Sequence, residues 1–295
     1  MEYPLVSVVL LCWNRREDVE EVMEHLARVE YPRLEIVVVD NASEDGTAEM
    51  VATRFPRVRL LRMAENLGIA GYNAGFEVAR GEYLVILDDD SYPAPDAVGR
   101  MVGRFEIDPL LGVIAFDVRN AAGFRWQPGA IVPEASGTAT AYQMSFNGAG
   151  FGIRRALFEQ IGWYPAEFFL YWNEQDTAFR VLDAGYRIET RDDIVALHKF
   201  SPRNRASERA PFFYTRNAFW MVWKNYPFDL ALLTTARLIY LCCYHALEQR
   251  SGVYLRAMWK AFKDGEALRG KRKPVAREII SASRVAFENT FAQFR

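Results

Sequence analysis

The first two thirds of the chain alternate between short apolar runs and longer segments with helical spacing. Continuous apolar runs predict buried strands, and apolar positions spaced by three and four predict helices. The predicted strands are residues 6–11, 34–39, 58–62, 83–87, 112–117, 186–190 and 194–198. The predicted helices are residues 16–29, 72–79, 95–105, 154–161 and 173–184, with a further helix after residue 43, which Ser43 is expected to cap. This alternation predicts an α/β fold whose sheet is mainly parallel and covered by helices on both faces.

The last third is different, because helical spacing continues there without strands. The predicted helices are residues 212–223, 230–247 and 254–262. The second is apolar for about the length of a membrane span, but it contains Arg237 and His245, which favours a buried or surface-lying helix. The third has one apolar and one basic face, and the basic run 271–273 follows it. This combination suits either peripheral contact with an anionic membrane or a homodimer interface, and the sequence leaves both open.

Composition narrows the class of protein. A chain of 295 residues that is 51% hydrophobic can form either one large domain or a domain with an appendage. Its formal net charge of -2 gives no electrostatic support for nucleic-acid binding. Three cysteines without a CxxC pair argue against a disulfide framework or a zinc site and fit a reducing cytosol. The chain enters a strand pattern directly, so the sequence predicts no signal peptide.

Three adjacent carboxylates, Asp88, Asp89 and Asp90, follow the predicted strand 83–87. Their charges repel one another, so we expect a cation beside them. Oxygen ligands of this kind favour Mg²⁺ or Mn²⁺, usually shared with a substrate phosphate. In open α/β sheets, ligands bind at the carboxyl ends of strands, which is where these residues fall. The alternative is a solvated acidic turn that caps the next helix.

Candidate chemistry also lies near residues 173–184 and at the end of the last strand. Glu174 and Asp176 fall in the first turn of a predicted helix, where a carboxylate is either a helix-start device or a general base. Six aromatic residues within 163–172 could stack on sugar rings, although core packing is the alternative for most of them. His198 lies at the end of a predicted strand, in the same relation to the sheet as the Asp triplet. A single histidine in such a place usually has a structural role rather than a ligand role.

Residues 5–220 resemble, in order, family 2-like glycosyltransferases with the GT-A fold. SVVLLCWNR is similar to the first strand and turn of that family, and VVVDNASEDGT to its second strand and Asp-containing segment. ENLGIAGYNAGFEVARGEYLVILDDD is similar to the run that ends in the Asp-x-Asp motif. Residues 148–188 are similar to the acceptor-side segment, and FYTRN resembles a helix common in rhamnosyl- and galactofuranosyl-transferase-like members.

The resemblance implies a Rossmann-like mixed sheet with a C-terminal helical extension. Residues 1–205 would be the catalytic domain, with a nucleotide-sugar-binding half at 1–118 and an acceptor-side half at 119–205. An irregular stretch at 118–140, expected to contain a flap or hairpin, would separate the halves. Residues 206–295 would form the helical region that contacts a membrane or a second subunit.

The resemblance also implies roles for individual residues. Asp40 would hydrogen-bond the nucleobase of the donor, and Asp89 would help to hold its ribose and diphosphate. Asp88 and Asp90 would hold the metal, and His198 would complete the metal site. The other residues expected to line the donor pocket are Asn14, Arg15 and Asn66.

The general base is expected in the acidic run before helix 173–184. The family usually has Glu-Asp-x-Asp there, whereas this chain has Asn173-Glu174-Gln175-Asp176. Glu174 occupies the base position with an arm that is one methylene longer, and Asp176 is the second candidate. A further departure is Pro165-Ala166, where Asp-Glu is common in the family.

The resemblance therefore implies a metal-dependent inverting glycosyltransferase of the hexosyltransferase type. It would use Mg²⁺ or Mn²⁺ and a UDP- or dTDP-sugar, and its acceptor would be a hydroxyl of a saccharide or lipid-linked saccharide. The expected process is cell-surface polysaccharide or glycolipid synthesis, in the cytoplasm or at the inner face of the membrane. One alternative is a nucleotidyltransferase, but CWNRRED lacks the glycine-rich phosphate loop expected of that class. The other is a non-catalytic scaffold that binds nucleotide-sugars.

Overall fold

In the described residues, eight strands form one mixed sheet in the order β3-β2-β1-β4-β7-β6-β8-β5. The computed structural model describes residues 3–120, 122, 123, 125, 144–199, 208–283 and 285–292. The strands are β1 (Val6–Cys12), β2 (Leu34–Asp40), β3 (Arg59–Arg62), β4 (Tyr83–Leu87), β5 (Ser91–Pro93), β6 (Leu111–Arg119), β7 (Phe151–Arg154) and β8 (Arg187–His198). Most of the expected flap at 118–140, and the proposed boundary at residue 205, lie outside the described residues.

Helices follow the strands and cover both faces of the sheet. They are α1 (Arg16–Leu26), α2 (Thr47–Arg54), α3 (Gly71–Val78), α4 (Ala97–Ile107), α5 (Arg155–Ile161), α6 (Asn173–Asp183), α7 (Arg209–Asn225), α8 (Phe228–Glu248), α9 (Val253–Lys263), α10 (Arg277–Ser283) and α11 (Phe287–Ala292). Helices α1, α2 and α4 contribute to one hydrophobic core, and α3, α5, α6 and the C-terminal helices contribute to the other.

The central strands are apolar along their whole length because each is buried on both faces. In β4, Leu84 and Ile86 join one core while Tyr83, Val85 and Leu87 join the other. Parallel strands covered on both faces typically show such continuous apolar runs. The prediction of an α/β sheet between two helical layers is therefore confirmed.

Parallel pairing dominates one half of the sheet, and the other half is mixed. β1 pairs in parallel with β2 and β4, whereas β7 runs antiparallel to both β4 and β6. The mainly parallel sheet that the strand–helix alternation predicts is therefore found in β1–β4. The mixed sheet that the family resemblance implies is found when all eight strands are considered.

Residues 187–198 form one strand, so the prediction of two strands, at 186–190 and 194–198, is wrong. β8 pairs in parallel with β6, and the register shifts where Phe116 faces Arg191 and Asp117 faces Val195. The three extra residues are exposed Asp192 and Asp193, which the sequence pattern presents as a break, and buried Ile194. Strand β5 was not predicted either. It is only three residues long, and it ends in Pro93 within a proline-rich stretch that is typical of a loop.

Candidate active site

The acidic turn after β4 lies directly beside the end of β8. β5 pairs antiparallel with β8, so that Ser91 is opposite His198, and the Lys199 N–H donates to the Asp90 carbonyl at 2.9 Å. Nε2 of His198 lies 2.9 Å from Oδ1 of Asp90 and 3.8 Å from Oδ2 of Asp88. The structure thus brings together the three residues that were expected to form a metal site.

The chemistry of this cluster fits a divalent cation. One ligand atom from each of Asp88, Asp90 and His198 lies within 4.8 Å of the others. The side chains of Asp90 and His198 are almost fully buried, whereas that of Asp88 is 45% exposed. Two carboxylates and an imidazole suit Mg²⁺ or Mn²⁺, and the exposed edge leaves room for ligands from a substrate.

Arg15 supplies positive charge to the acidic turn. Its Nη1 lies 3.7 Å from Oδ2 of Asp90 and 3.2 Å from Oδ2 of Asp18, and its Nε lies 4.0 Å from Oδ2 of Asp89. Burial raises the pKa of Asp89 to about 8, which Arg15 opposes and the charges of Asp90 and Asp88 reinforce. Arg15, which was expected to line the donor pocket, therefore also stabilises the carboxylates of the acidic turn.

The loops after β1 and β2 are joined to each other beside Asp40. The Ser43 hydroxyl accepts from the Asn14 backbone N–H at 2.9 Å, and Oδ1 of Asn14 accepts from the Glu44 N–H at 2.7 Å. Buried Asp40 accepts from the Ser43 N–H at 3.1 Å. Ser43 was expected to cap α2, which is wrong: Gly46 precedes that helix, and Oδ1 of Asp45 accepts from the Thr47 N–H at 3.0 Å.

Asn66 lies between this donor-side region and the start of α3. Its Oδ1 accepts from Nδ2 of Asn41 at 2.9 Å and from the Gly68 N–H at 2.8 Å. Asn41 is buried, and its Oδ1 also accepts from the Leu67 N–H at 3.0 Å. Asn41 was missed as a functional residue, although its place next to Asp40 at a strand end is the signal that could have indicated it.

Glu174 lies in the first turn of α6, facing a glycine. Its Oε1 accepts from Nδ2 of Asn173 at 2.8 Å. A Cβ on Gly148 would lie 2.0 Å from that same oxygen, so the carboxylate packs against the backbone of Gly148. Burial raises the pKa of Glu174 to about 7, and the charge of Asp88 adds to the shift. A carboxylate with a pKa near neutrality is suited to accept a proton at physiological pH.

Asp176 is in a different environment from Glu174. It is fully buried, with Nη2 of Arg180 at 2.8 Å, Nζ of Lys224 at 3.2 Å and Nδ2 of Asn225 at 2.8 Å. Burial pushes its pKa upward, but Arg180 and Lys224 more than offset this, so the pKa lies below its usual range. Asp176 therefore connects α6 to α7, and the geometry favours Glu174 over Asp176 as the proton acceptor.

The segment before α6 has an unusual backbone. Phe169, Tyr171 and Trp172 have φ values of 63°, 66° and 67°, a region that non-glycine residues rarely adopt. Helix α7 holds this segment: Nη2 of Arg216 donates to the Phe168 carbonyl at 2.6 Å, and Nε1 of Trp172 donates to the Tyr214 carbonyl at 2.8 Å. Of the six aromatic residues, Tyr164 and Phe168 are core, while Trp163, Phe169, Tyr171 and Trp172 are half-buried.

Comparison with known proteins identifies the family. The family described as Glycosyl transferase family 2 matches residues 7–171, more than half of the chain. The chain belongs to this family. It is thus a member of a glycosyltransferase family, and its mixed sheet between two helical layers has the GT-A fold.

Curated relatives match parts of the transferase. It is 37% identical over 103 residues to the succinoglycan biosynthesis protein ExoO of Rhizobium meliloti, covering 34% of this chain and 30% of the relative. It is 26% identical over 220 residues to glycosyltransferase AglE of Haloferax volcanii, covering 68% of each. A poly-beta-1,6-N-acetyl-D-glucosamine synthase of Staphylococcus epidermidis is 30% identical over 117 residues, which is 39% of this chain and 28% of that one. The transferase thus spans less than a third of the length of two of these relatives.

Two solved structures share the fold over nearly the whole transferase. A mannosyltransferase of Pyrobaculum calidifontis in complex with GDP-Man and Mn²⁺ gives a TM-score of 0.62 at 22% identity, covering 100% of this chain and 86% of that one. Residues 1–349 of TarS from S. aureus, in complex with UDP-GlcNAc, give a TM-score of 0.58 at 16% identity, covering 98% and 89%. At these identities the likeness shows the fold alone.

Proposed function

We propose that this transferase moves a sugar from a nucleotide-diphospho-sugar to a hydroxyl of a saccharide or lipid-linked acceptor, with inversion at the anomeric carbon. The observation that carries the proposal is the position of Glu174, a buried carboxyl group whose pKa is raised to about 7. The charge of Asp88 contributes to that shift, and Asp88 belongs to the cluster whose chemistry fits a cation. The cluster that contains Asp88 is suited to bind a diphosphate through a cation, and Glu174 is suited to accept a proton from the acceptor hydroxyl.

The donor side consists of the joined loops after β1 and β2. In this proposal Asp40 hydrogen-bonds the nucleobase, and the same pocket is lined by Asn14, Arg15 and Asn66. The acidic turn 88–90 faces the ribose and diphosphate. We expect UDP- or dTDP-sugars, and two related structures were solved with GDP-Man and Mn²⁺ or with UDP-GlcNAc, which supports a nucleotide-sugar donor.

Asp88, Asp90 and His198 would hold Mg²⁺ or Mn²⁺. When bound there, the cation would neutralise charge on the leaving diphosphate. His198 and Asp90 are fixed by the pairing of β5 with β8, and Arg15 offsets the remaining acidic charge. These residues therefore bind and orient the donor without having to rearrange.

Glu174 acts on the acceptor. An acceptor hydroxyl has too high a pKa to attack unaided, so Glu174 takes its proton as the hydroxyl oxygen bonds to the anomeric carbon. The bond from that carbon to the diphosphate oxygen breaks in the same displacement, and the electron pair leaves with the diphosphate. A single base and a single displacement invert the configuration.

The names of the relatives indicate the process in which this transferase acts. ExoO is named for succinoglycan biosynthesis and another relative for poly-beta-1,6-N-acetyl-D-glucosamine synthesis. We infer a role in polysaccharide or glycolipid synthesis, in the cytoplasm or at the inner face of the membrane. Residues 1–205 carry the donor site and the base in this proposal, and residues 206–295 form the helical region that contacts a membrane or a second subunit.

Calorimetric titration with UDP in the presence and absence of Mn²⁺ tests the site. Asp90→Ala should abolish the Mn²⁺-dependent part of nucleotide affinity, because it removes a buried ligand. Asp96→Ala, which changes an exposed aspartate at the start of α4, is the matched control and should bind as the wild type does. Unchanged affinity in Asp90→Ala would remove the proposed metal site.

A further inference from the structure

Helix α8 has a buried side and an exposed apolar side. Ala231, Leu238 and Cys242 are buried and join the core that α8 shares with α7, α9 and α11. The other side exposes large hydrophobic side chains, which together we call the α8 face: Phe228, Leu232, Leu233, Tyr240, Tyr244 and Leu247. Each of them is between 44% and 81% exposed.

The α8 face is as large as the largest apolar patches that soluble monomers expose, and such patches are often functional. From Phe228 to Leu247 it extends about 28 Å, at about 1.5 Å per residue. At roughly 100 Å² for each side chain, it exposes on the order of 600 Å², the upper end of what a typical soluble monomer shows. A patch of this size indicates an interaction site.

Two charged residues at exposed positions of α8 are paired within the protein. Asp229 pairs with Arg277 at 2.6 Å, and Arg237 pairs with Glu288. Glu248 lies at the C-terminal end of the helix, where its Oε2 is 2.8 Å from Nδ1 of His245. Between Leu232 and Tyr244, Arg237 is the one charged residue, so the centre of the α8 face carries a single charge and that charge is paired.

Basic charge is concentrated immediately after α8. Residues 249–295 contain 11 Lys and Arg against 4 Asp and Glu, whereas residues 1–248 contain 25 against 34. Helix α9 adds exposed Trp259, whose ring lies 4.6 Å from Nζ of Lys263. A basic tail with exposed aromatic residues, attached to an acidic body, distinguishes this end of the molecule from the rest.

The charge distribution decides between the occupants. In a symmetric dimer formed through the α8 face, the second copy would bring the same excess of basic residues after α8 and so would supply no complementary charge, whereas an anionic surface does. In the described residues, α8 is the one helix long and apolar enough to cross a membrane, but its buried side forms part of the core and His245 stacks on Phe291. A spanning position would remove the helix from that core.

We propose that the α8 face, with the basic residues after it, docks on the surface of an anionic lipid bilayer, with α8 lying in the plane of the interface. Apolar side chains enter the boundary between headgroups and acyl chains, and the basic residues face anionic headgroups. This inference does not depend on the transfer reaction, because it concerns a surface outside the donor site and the base.

Vesicle co-sedimentation tests the docking without any sugar donor or acceptor. The wild type should bind vesicles of phosphatidylcholine and phosphatidylglycerol in equal parts, about tenfold or more above pure phosphatidylcholine vesicles, and added NaCl should weaken the binding. Leu233→Ser combined with Leu247→Ser should lower the binding about tenfold or more, because it removes the two most exposed side chains of the face.

The matched control is Ile107→Ser with Leu110→Ser, which removes side chains of similar exposure, 79% and 59%, at the end of α4. This control should bind as the wild type does. Lys263→Glu with Lys273→Glu leaves the apolar face intact and should abolish the preference for phosphatidylglycerol.

Three results would overturn the proposal. The first is a wild type that fails to sediment with anionic vesicles, and the second is equal sedimentation by the two serine double variants. The third is a wild-type dimer in light scattering that Leu233→Ser with Leu247→Ser dissociates, which would assign the face to a second copy.

Discussion

The side-chain amide of Asn217 donates a hydrogen bond of 2.8 Å to the carbonyl oxygen of Phe168. The same nitrogen donates to the carbonyl of Leu170 and, at 3.4 Å, to that of Tyr171, while Oδ1 of Asn217 accepts from Nε of Arg216 at 2.9 Å. A buried residue of α7 thus holds the backbone that leads into the proposed base.

Replacing this amide should slow catalysis without weakening donor binding. Asn217→Ala removes the amide donor from the carbonyls of Leu170 and Tyr171, while the carbonyl of Phe168 keeps its bond from Arg216, and this loss should cost about 1–3 kcal/mol of unfolding free energy. The released segment can then move Glu174, so we expect a lower kcat with an unchanged KM for the nucleotide-sugar. Steady-state kinetics together with chemical denaturation measure both effects. A folded Asn217→Ala protein with a normal kcat would contradict the role in positioning the base.

Glu174→Gln should leave donor binding intact and reduce the rate at least ~10²-fold, because the amide cannot accept the acceptor proton. Calorimetry with UDP and Mn²⁺, beside a transfer assay, separates the two. Near-normal turnover would pass the proton-accepting role to another group.

The pH profile gives a second measure of the same residue. Glu174 must be deprotonated to act, so the rate should fall as the pH drops through its pKa of about 7. A cation beside Asp88 would offset part of that upward shift and move the acidic limb to a lower pH. The limb should disappear from the residual activity of Glu174→Gln, and a limb that persisted would belong to another group.

Gly148→Ala tests how closely the base is placed. The new Cβ would lie 2.0 Å from Oε1 of Glu174, at the end of a flexible side chain, so the carboxylate should move while the fold persists. We expect a melting temperature close to that of the wild type and a kcat well below it. As a control, Gly99→Ala places a methyl group where nothing lies within 4 Å and should leave kcat unchanged.

Asp176→Ala should act on stability. Removing Asp176 from this buried cluster leaves Arg180 without its counterion and Lys224 with Glu167 alone, at a cost of about 3–5 kcal/mol. Because the folded-state pKa of Asp176 lies below its ordinary value of 3.8, its contribution is complete above that value and is lost as the pH falls through the lower folded-state pKa. Urea denaturation at neutral and acidic pH should show the difference between wild type and variant shrinking in acid. A constant difference would contradict this assignment.

The apolar pattern of the sequence predicts best those strands that have a hydrophobic core on both faces. β1, β2 and β4 are covered by helices on both faces, so burial alone determines their composition. β5 and the bulge in β8 depend on pairing between distant segments, and such pairing leaves no periodic signal in Pro93 or in Asp192–Asp193.

The same distinction applies to the site. The acidic triplet and His198 are chemically conspicuous, and a resemblance to a known family placed them beside each other. Gly148 and Asn217 are ordinary in sequence, and their roles arise from contacts with Glu174 and Phe168 that only the folded chain makes. The opposite pKa shifts of Glu174 and Asp176 likewise depend on the contacts of Asp176 with Lys224 and Asn225, which lie on another helix.

The ladder between β5 and β8 also bears on how the protein is made. Asp90 is synthesised early and His198 much later, and their side chains meet only when β8 has paired with β5. A nascent chain on the ribosome therefore holds the acidic turn before it holds the histidine of the proposed cation site. If the proposed function is right, capture of a nucleotide-sugar is reserved for molecules in which both halves of the transferase have already folded together.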